Sequence, residues 1–402
     1  MAEATPQLQR GAFQRLGIAR WFTVAAAGLL AACSTVVPRP PVPVAAPVRA
    51  APAAADTEVQ AGIPRDIQRN RVALLVPLSG GNAGVGQSIA NATMLALLDT
   101  QNQSVRVTNY DTAPGAAAAA RRAIAEGAQL ILGPLLADDV RAVAPVARAA
   151  GVPVISFSND AGVAGGGTYV MGYAPVQSIG RVVAYASGRG VTSFAGLVPN
   201  GLYGQRASTA FLRAVETAGG KVVSLQTFAR TPAAITAATA RLGGQGAYDA
   251  VLIADGGAPA SQAAAQVKRG VNAGTRILGT ELWNSEAGIA ARPALAGAWY
   301  ASVSDTWYRQ FATKYRGRFG VTPYRLSSLG YDAVLLTVRI ARDWRVGSPF
   351  PEARLRDGDG FSGIDGAFRF GRDGIAERAL EVKEIRGGAT TVVSPAPSGF
   401  AR

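Results

Sequence analysis

Enzyme chemistry needs groups that change protonation near neutral pH or attack as nucleophiles, and this chain is nearly bare of them. Its 402 residues contain no histidine, one cysteine (Cys33) and four lysines. Without histidine, Ser-His and Cys-His nucleophile pairs and most zinc sites are ruled out. Neither Gly-x-Ser-x-Gly nor Ser-x-x-Lys occurs. Two carboxylate pairs remain. Asp138-Asp139 stands where a helix is expected to begin, where acidic side chains complement the free N–H groups of the first turn. Asp357-Gly358-Asp359 reads as a polar loop, good at most for a weak cation contact. The loop Gly80-Gly81-Asn82-Ala83-Gly84-Val85-Gly86 is of the phosphate-cradling type, but it lacks the Lys-Ser/Thr of a P-loop and the spacing of a dinucleotide fingerprint. A tight turn is the expected role. These residues point to a non-enzymatic protein without cofactor or metal.

Cys33 has a different use. Arg10, Arg15 and Arg20 precede a short apolar run, Trp21 to Leu30, which leads into Leu30-Ala31-Ala32-Cys33-Ser34. About ten apolar residues are too few to span a bilayer, and small residues close the run as in a cleaved export signal. The segment resembles a bacterial lipoprotein signal peptide. That resemblance implies cleavage after residue 32, acylation of Cys33 as the new N-terminus and, with Ser34 rather than an aspartate next, retention at the inner leaflet of the outer membrane. The formal charge of +14 falls to +12 once residues 1–32 leave, because they carry three arginines and Glu3. A basic balance suits anionic surfaces, but the arginines are scattered and no nucleic-acid motif is present, so nucleic acid is not an expected partner. Export would leave no second cysteine for a disulfide, so stability rests on the hydrophobic core. From Cys33 to residue 67 the chain is rich in Pro, Ala and Val, as in Pro40-Pro41-Val42-Pro43. That composition favours extended polyproline II and reads as a tether.

The remainder must position whatever site exists. Val72-Ala73-Leu74-Leu75-Val76 is a continuous apolar run, the mark of a buried parallel strand. Helical spacing follows at Ile89, Ala92, Leu95 and Leu98. Strands are expected at 105–110, 130–133 and 152–156, with helices from Pro114 to Ala125 and from Ala137 to Ala150. The rhythm restarts with strands at 192–198, 221–225, 250–254 and 276–279 and helices at 205–218, 232–242 and 260–271. Two later helices fall at 308–319 and 329–343. Phe368-Arg369-Phe370 and Glu381 to Ile385 flank the turn Gly371-Arg372-Asp373-Gly374 and read as a hairpin. Strands alternating with helices of this length predict an α/β fold with doubly wound sheets.

Val76-Pro77-Leu78-Ser79-Gly80, Ile131-Leu132-Gly133-Pro134-Leu135, Gly151 to Ser156, Gly201-Leu202-Tyr203-Gly204, Tyr331-Asp332-Ala333-Val334 and Phe368 to Gly374 together resemble the type I periplasmic binding-protein fold of the leucine-binding kind. The resemblance spans roughly residues 68–390. It implies two Rossmann-like lobes joined by three hinge crossings near residues 177, 303 and 346. Lobe 1 would then be 68–177 plus 304–346, and lobe 2 would be 178–303 plus 347–390, with a disordered tail over 391–402.

In open parallel sheets ligands bind beyond the carboxyl ends of the strands. The cleft candidates are therefore Ser79 and Gly80; Gly133, Pro134 and Leu135; Ser156, Ser158 and Asn159; Tyr203; Asp255; and Glu281 with Trp283. Tyr331 is added by family position. Trp283 and Trp307 would stack on a ligand or serve in the core, the commoner fate of tryptophan. Amino-acid-binding members of the family usually place Ser or Thr soon after the Gly-Pro of strand three and after the Ser of strand four. Here Leu135-Leu136 follow the first, and Ser158 partly serves for the second.

Gly-Pro-Leu-Leu, the Leu-Val-Pro-Leu-Ser-Gly start and the lipoprotein leader resemble more closely the C-terminal domain of the outer-membrane lipoprotein activators of penicillin-binding proteins. That resemblance implies a docking body that stimulates a peptidoglycan synthase. The helical repeat domain of the best-known members has a Pro-Ala tether in its place here. The alternative is the substrate-binding lipoprotein of an ABC importer for branched-chain amino acids or a related small solute, with a permease as partner.

Overall fold

The structure, a computed structural model, describes residues 68–270, 273–397 and 399–400. The signal segment, Cys33 and the tether lie outside the described residues.

Five strands, β1 (Asn70–Val76), β2 (Val105–Asp111), β3 (Leu130–Leu132), β4 (Val154–Ser156) and β5 (Thr168–Val170), form one all-parallel sheet in the order β2-β1-β3-β4-β5. The apolar run predicted for β1 serves both faces of this sheet. Val72, Leu74 and Val76 enter one core and Ala73 and Leu75 the other, as side chains alternate along a strand. Helices α1 (Ala83–Thr100), α2 (Ala116–Ala125) and α3 (Ala137–Ala149) supply the crossovers. In α2, Ala116, Ala119, Ala120 and Ala123 make the buried face, a period of three to four residues built from the best helix former.

After α4 (Pro175–Ser187), the plan repeats with β6 (Ser193–Pro199), α5 (Leu202–Thr217), β7 (Lys221–Phe228), α6 (Pro232–Gly243), β8 (Ala250–Ile253), α7 (Gly257–Val267), β9 (Arg276–Gly279) and β10 (Trp299–Ser302). These strands take the corresponding order β7-β6-β8-β9-β10, and two antiparallel strands, β14 (Glu381–Arg386) and β15 (Ala389–Ser394), extend the sheet beyond β10. Each half uses the same close approach at its first turn. A Cβ on Gly86 would stand 1.8 Å from the Pro77 carbonyl oxygen, and one on Gly204 would stand 1.6 Å from that of Pro199. Only glycine lets the helix start so near the preceding strand.

Helices α8 (Thr306–Phe319) and α9 (Ser327–Ala341) return to the first sheet, where Leu329, Ala333 and Leu336 join the β1 core. A small antiparallel sheet, β11 (Phe361–Gly363), β12 (Gly366–Phe370) and β13 (Ala376–Arg378), stays there too, since Phe350, Leu355, Phe368 and Phe370 share that core. The third crossing therefore falls at residues 379–380, between β13 and β14, rather than near 346, and residues 347–378 pack with the first lobe. The first two crossings lie at 171–174 and 303–305.

Two further expectations are corrected, and four elements go unread in the sequence. The turn at 371–374 joins β12 to β13, whereas residues 381–386 pair with β10 and β15. Residues 389–394, inside and next to the stretch expected to be a disordered tail, form β15, and Arg181 donates to the Ser394 hydroxyl at 2.6 Å. The strands β5, β10 and β11, three or four residues long, are too short to show a period, whereas α4 carries its buried Ser178, Ile179, Val182, Val183 and Ala186 at helical spacing and still goes unread in the sequence.

Candidate functional site

The loops expected to face a cleft divide into committed and available groups. On the first lobe the hydroxyls are largely committed. Ser79 donates to Asp111 Oδ2 at 2.6 Å, while the N–H groups of Leu78 and Ala113 bind Oδ1 at 2.8 and 3.0 Å. Burial raises the Asp111 pKa, but the Ser79 hydroxyl and these N–H groups outweigh it and hold the carboxyl below its ordinary value. Gly80 is exposed with φ +71°. Gly133 (φ +87°) leaves no room for a side chain, with the Leu75 carbonyl oxygen 2.1 Å from where a Cβ would stand. Buried Ser156 donates to the Pro134 carbonyl at 3.1 Å and accepts from the Ser158 N–H at 3.0 Å. Ser158 Oγ in turn accepts from the Asp160 N–H at 3.1 Å. Leu135 leans on the core and Asn159 is exposed. These bonds hold the loop in shape.

The second lobe carries the polar cluster. Glu281, in the turn after β9, is buried and accepts from the Tyr203 hydroxyl at 2.9 Å and from the Ser178 hydroxyl of α4. Burial raises its pKa, and the hydrogen bonds from Ser178, its own backbone N–H and Tyr203 oppose that. Burial and then the Glu281 charge push the Tyr203 phenol well above its ordinary value, so it stays a donor. None of the ion pairs among the described residues includes Glu281. Glu281 lines a cavity of about 20 Å³ with Tyr173, Ser178, Asn284, Ser302 and Arg378. This is room for about one water-sized group. It sits at the crossings, since Tyr173, Val303 and Leu380 come from all three.

Asp255 is paired with Arg230 (2.9 Å to Oδ2) and takes the Gly256 N–H at 2.8 Å, so it shapes its own turn. Trp283 is 0% exposed. Its indole N–H donates to the Asp255 carbonyl at 2.9 Å, and its ring lies over Gly279, where a Cβ would come within 2.4 Å. It is a core residue and not a cleft wall. Tyr331 is also outside the cleft. Its hydroxyl donates to Asp99 Oδ2 at 2.8 Å near the far end of α1, and α1 rises 1.5 Å per residue from the loop at 79–82. Trp307, 56% exposed, lines a surface groove with Asp99, Lys314 and Tyr331.

Several groups escaped sequence analysis. Asp160, 4% exposed, takes Arg141 of α3 at 2.5 Å and Arg206 of α5 at 3.0 Å, so one carboxylate ties the two lobes together. At the crossings Arg325 pairs with Asp365 at 2.7 Å and lies 3.4 Å from Asp305, and Lys383 pairs with Asp305 at 2.5 Å. Tyr173 and Ser328 also hold Asp365. Arg378, at the end of β13, would have attracted notice only with the third crossing placed at 379–380. Among the described residues no cluster of three or more Cys, Asp or Glu could hold a metal ion, and no helix is long and apolar enough to cross a membrane.

A sequence profile of the periplasmic binding protein family matches residues 70–389. An uncharacterized protein of Rickettsia prowazekii (strain Madrid E) is 30% identical over 139 residues, 34% of this chain and 37% of that protein, so the match spans little more than a third of the curated relative. Among solved structures, a putative branched-chain amino acid ABC transporter protein from Rhodospirillum rubrum superposes with a TM-score of 0.70 at 20% identity, over 81% of this chain and 100% of that one. The leucine binding protein LivK of Thermotoga maritima superposes with a TM-score of 0.63 at 19% identity, over 81% and 98%. With the profile covering both sheets and all three crossings, the chain belongs to the periplasmic binding protein family, and its fold is the two-lobed α/β fold of the leucine-binding kind.

Proposed function

We propose that the chain is the solute-binding receptor of an ABC importer, which takes up a small polar solute between its lobes and presents it to a membrane permease. The carrying observation is Glu281. A buried carboxyl held by two hydroxyls, without an ion-pair partner, faces a cavity where the three crossings meet. Such a group costs stability unless something binds it, and solute binding accounts for that cost. The similarity to solute receptors supports this reading over that of a docking body for a penicillin-binding protein. The docking reading keeps one observation on its side. The first-lobe hydroxyls Ser79 and Ser156 are spent on the neighbouring loops, at Asp111 and the Pro134 carbonyl, and Leu136 is exposed.

Titration calorimetry of the full chain with L-leucine, L-isoleucine and small organic acids tests the proposal. Micromolar binding supports the receptor. No binding, together with capture of a peptidoglycan synthase by crosslinking in cells, would establish the docking body. We further propose export and anchoring through Cys33, which metabolic labelling with a radioactive fatty acid checks: Cys33→Ala should abolish the label.

A further inference from the structure

Arg378 is 9% exposed, yet its Nε and Nη1 groups have no hydrogen-bond partner. Only Nη2 is used, donating to the Met171 carbonyl at 2.6 Å. The guanidinium lies 5.0 Å from the ring of Tyr173 and 5.2 Å from that of Phe368, aromatic contacts that hold its plane but leave the enclosed Nε and Nη1 without an acceptor. Buried cationic N–H groups are ordinarily satisfied, and an exception calls for an explanation.

The carboxylates that feel its charge do not hydrogen-bond to it. Asp365 is occupied by Arg325, Tyr173 and Ser328. Asp332 accepts from the Ile364 N–H at 2.7 Å, and burial and then the charge of Asp365 raise its pKa well above the carboxylate range. Arg325 thus pairs directly with both Asp365 and Asp305, whereas Arg378 meets Asp365 through charge alone. Arg378 lines the same small cavity as Glu281. On the first lobe Ser79 is bound to Asp111 and Ser156 to the Pro134 carbonyl, and Leu135-Leu136 stand where amino-acid-binding members usually place a hydroxyl.

Building on the receptor reading, we propose that Arg378 is the anion anchor of the solute, so that the solute is a small carboxylate held from the hinge, with a second polar group turned to Glu281. The cavity admits about one functional group in the present arrangement, so the carboxylate enters as the lobes part. Because β13 ends where the third crossing begins, engaging Arg378 ties binding to the position of the hinge.

The test compares L-leucine, 4-methylpentanoate and L-leucinamide, and benzoate with benzamide, by calorimetry on the full chain and its Arg378→Gln and Arg378→Lys variants. Hydrogen bonds to charged groups are worth about 1.5–3 kcal/mol, so a bound acid should exceed its amide by roughly 10- to 100-fold. Arg378→Gln should erase that ratio and Arg378→Lys should restore part of it. Equal affinities for acid and amide, or an unchanged ratio in Arg378→Gln, would overturn the anchor while leaving the receptor standing. Binding of none of the five compounds would overturn the anchor, and capture of a peptidoglycan synthase in addition would overturn the receptor. Circular dichroism checks folding; if Arg378→Gln does not fold, the acid-to-amide ratio of the native chain decides alone.

Discussion

Replacing Trp283 by alanine separates a core role from a ligand-stacking role. Tryptophan buries roughly 150–250 Å², and at about 25 cal/mol per Å² that is about 4–6 kcal/mol of transfer free energy. Mutational experience with large-to-small changes sets the realistic loss at about 3–5 kcal/mol. Trp283 is fully enclosed between Gly279 and Tyr300, with ring centroids 5.7 Å apart in the latter pair, and its N–H satisfies the Asp255 carbonyl. Nothing nearby can collapse into the space cheaply, since Gly279 has no side chain to offer. For a body of about 330 residues, unfolding entropy near 2.1 cal/mol/K per residue turns 4 kcal/mol into a fall of roughly 6 °C in Tm. Trp283→Phe keeps most of the area and loses the hydrogen bond, so about 1–2 kcal/mol and roughly 1–3 °C are expected. Differential scanning calorimetry without added solute reads both. A Tm for Trp283→Ala within 1 °C of the native value, with a tenfold or greater loss of solute affinity, would refute the core assignment and put the ring in the binding site.

Two other predictions address the lobe junction and the buried acids. Arg206→Ala removes the link from α5 to Asp160; with Arg206 46% exposed the pair is worth at most about 1 kcal/mol, or roughly a fivefold change in the ratio of closed to open lobes. Small-angle scattering should show a larger radius of gyration, and 0.5 M salt should move the native chain the same way; an unchanged radius would show that the clasp does not hold the lobes. Asp332 keeps its proton in the folded state at pH values where the unfolded chain has released it. Between the unfolded pKa of about 3.9 and the raised folded value the native state binds more protons, so this group makes stability fall as pH rises. In urea denaturation at pH 5, 6.5 and 8, Asp332→Asn, which can still accept from the Ile364 N–H, should lose less stability with rising pH than the native chain; parallel curves would refute the shift.

Position in the sheet made part of the candidate site legible in the sequence. Tyr203, Asp255 and Glu281 follow β6, β8 and β9, and in parallel sheets the loops after strands meet at one edge. Ser79, Ser156 and Ser158 occupy the matching edge of the first lobe, but hydroxyl position does not reveal hydrogen-bond partners. Asp111 and the Pro134 carbonyl, which take the Ser79 and Ser156 protons, are supplied by the fold. Tyr331 was assigned by family position, and its side chain turns along α9 to Asp99 instead.

By itself the sequence determined the α/β class, the two repeats, the helix faces and the edge where a site would form. Those features are local: continuous apolar runs make buried strands, and glycines at 86 and 204 permit the first turns. Only tertiary structure decided which lobe owns residues 347–378, because that choice depends on Phe350, Phe368 and Phe370 meeting the β1 core far away in the chain. The same holds for the Asp160–Arg206 clasp and for Arg378 facing the cavity of Glu281. Partners separated by tens to hundreds of residues leave no periodicity for a single sequence to show, and burial, which sets their chemistry, exists only once the chain has folded.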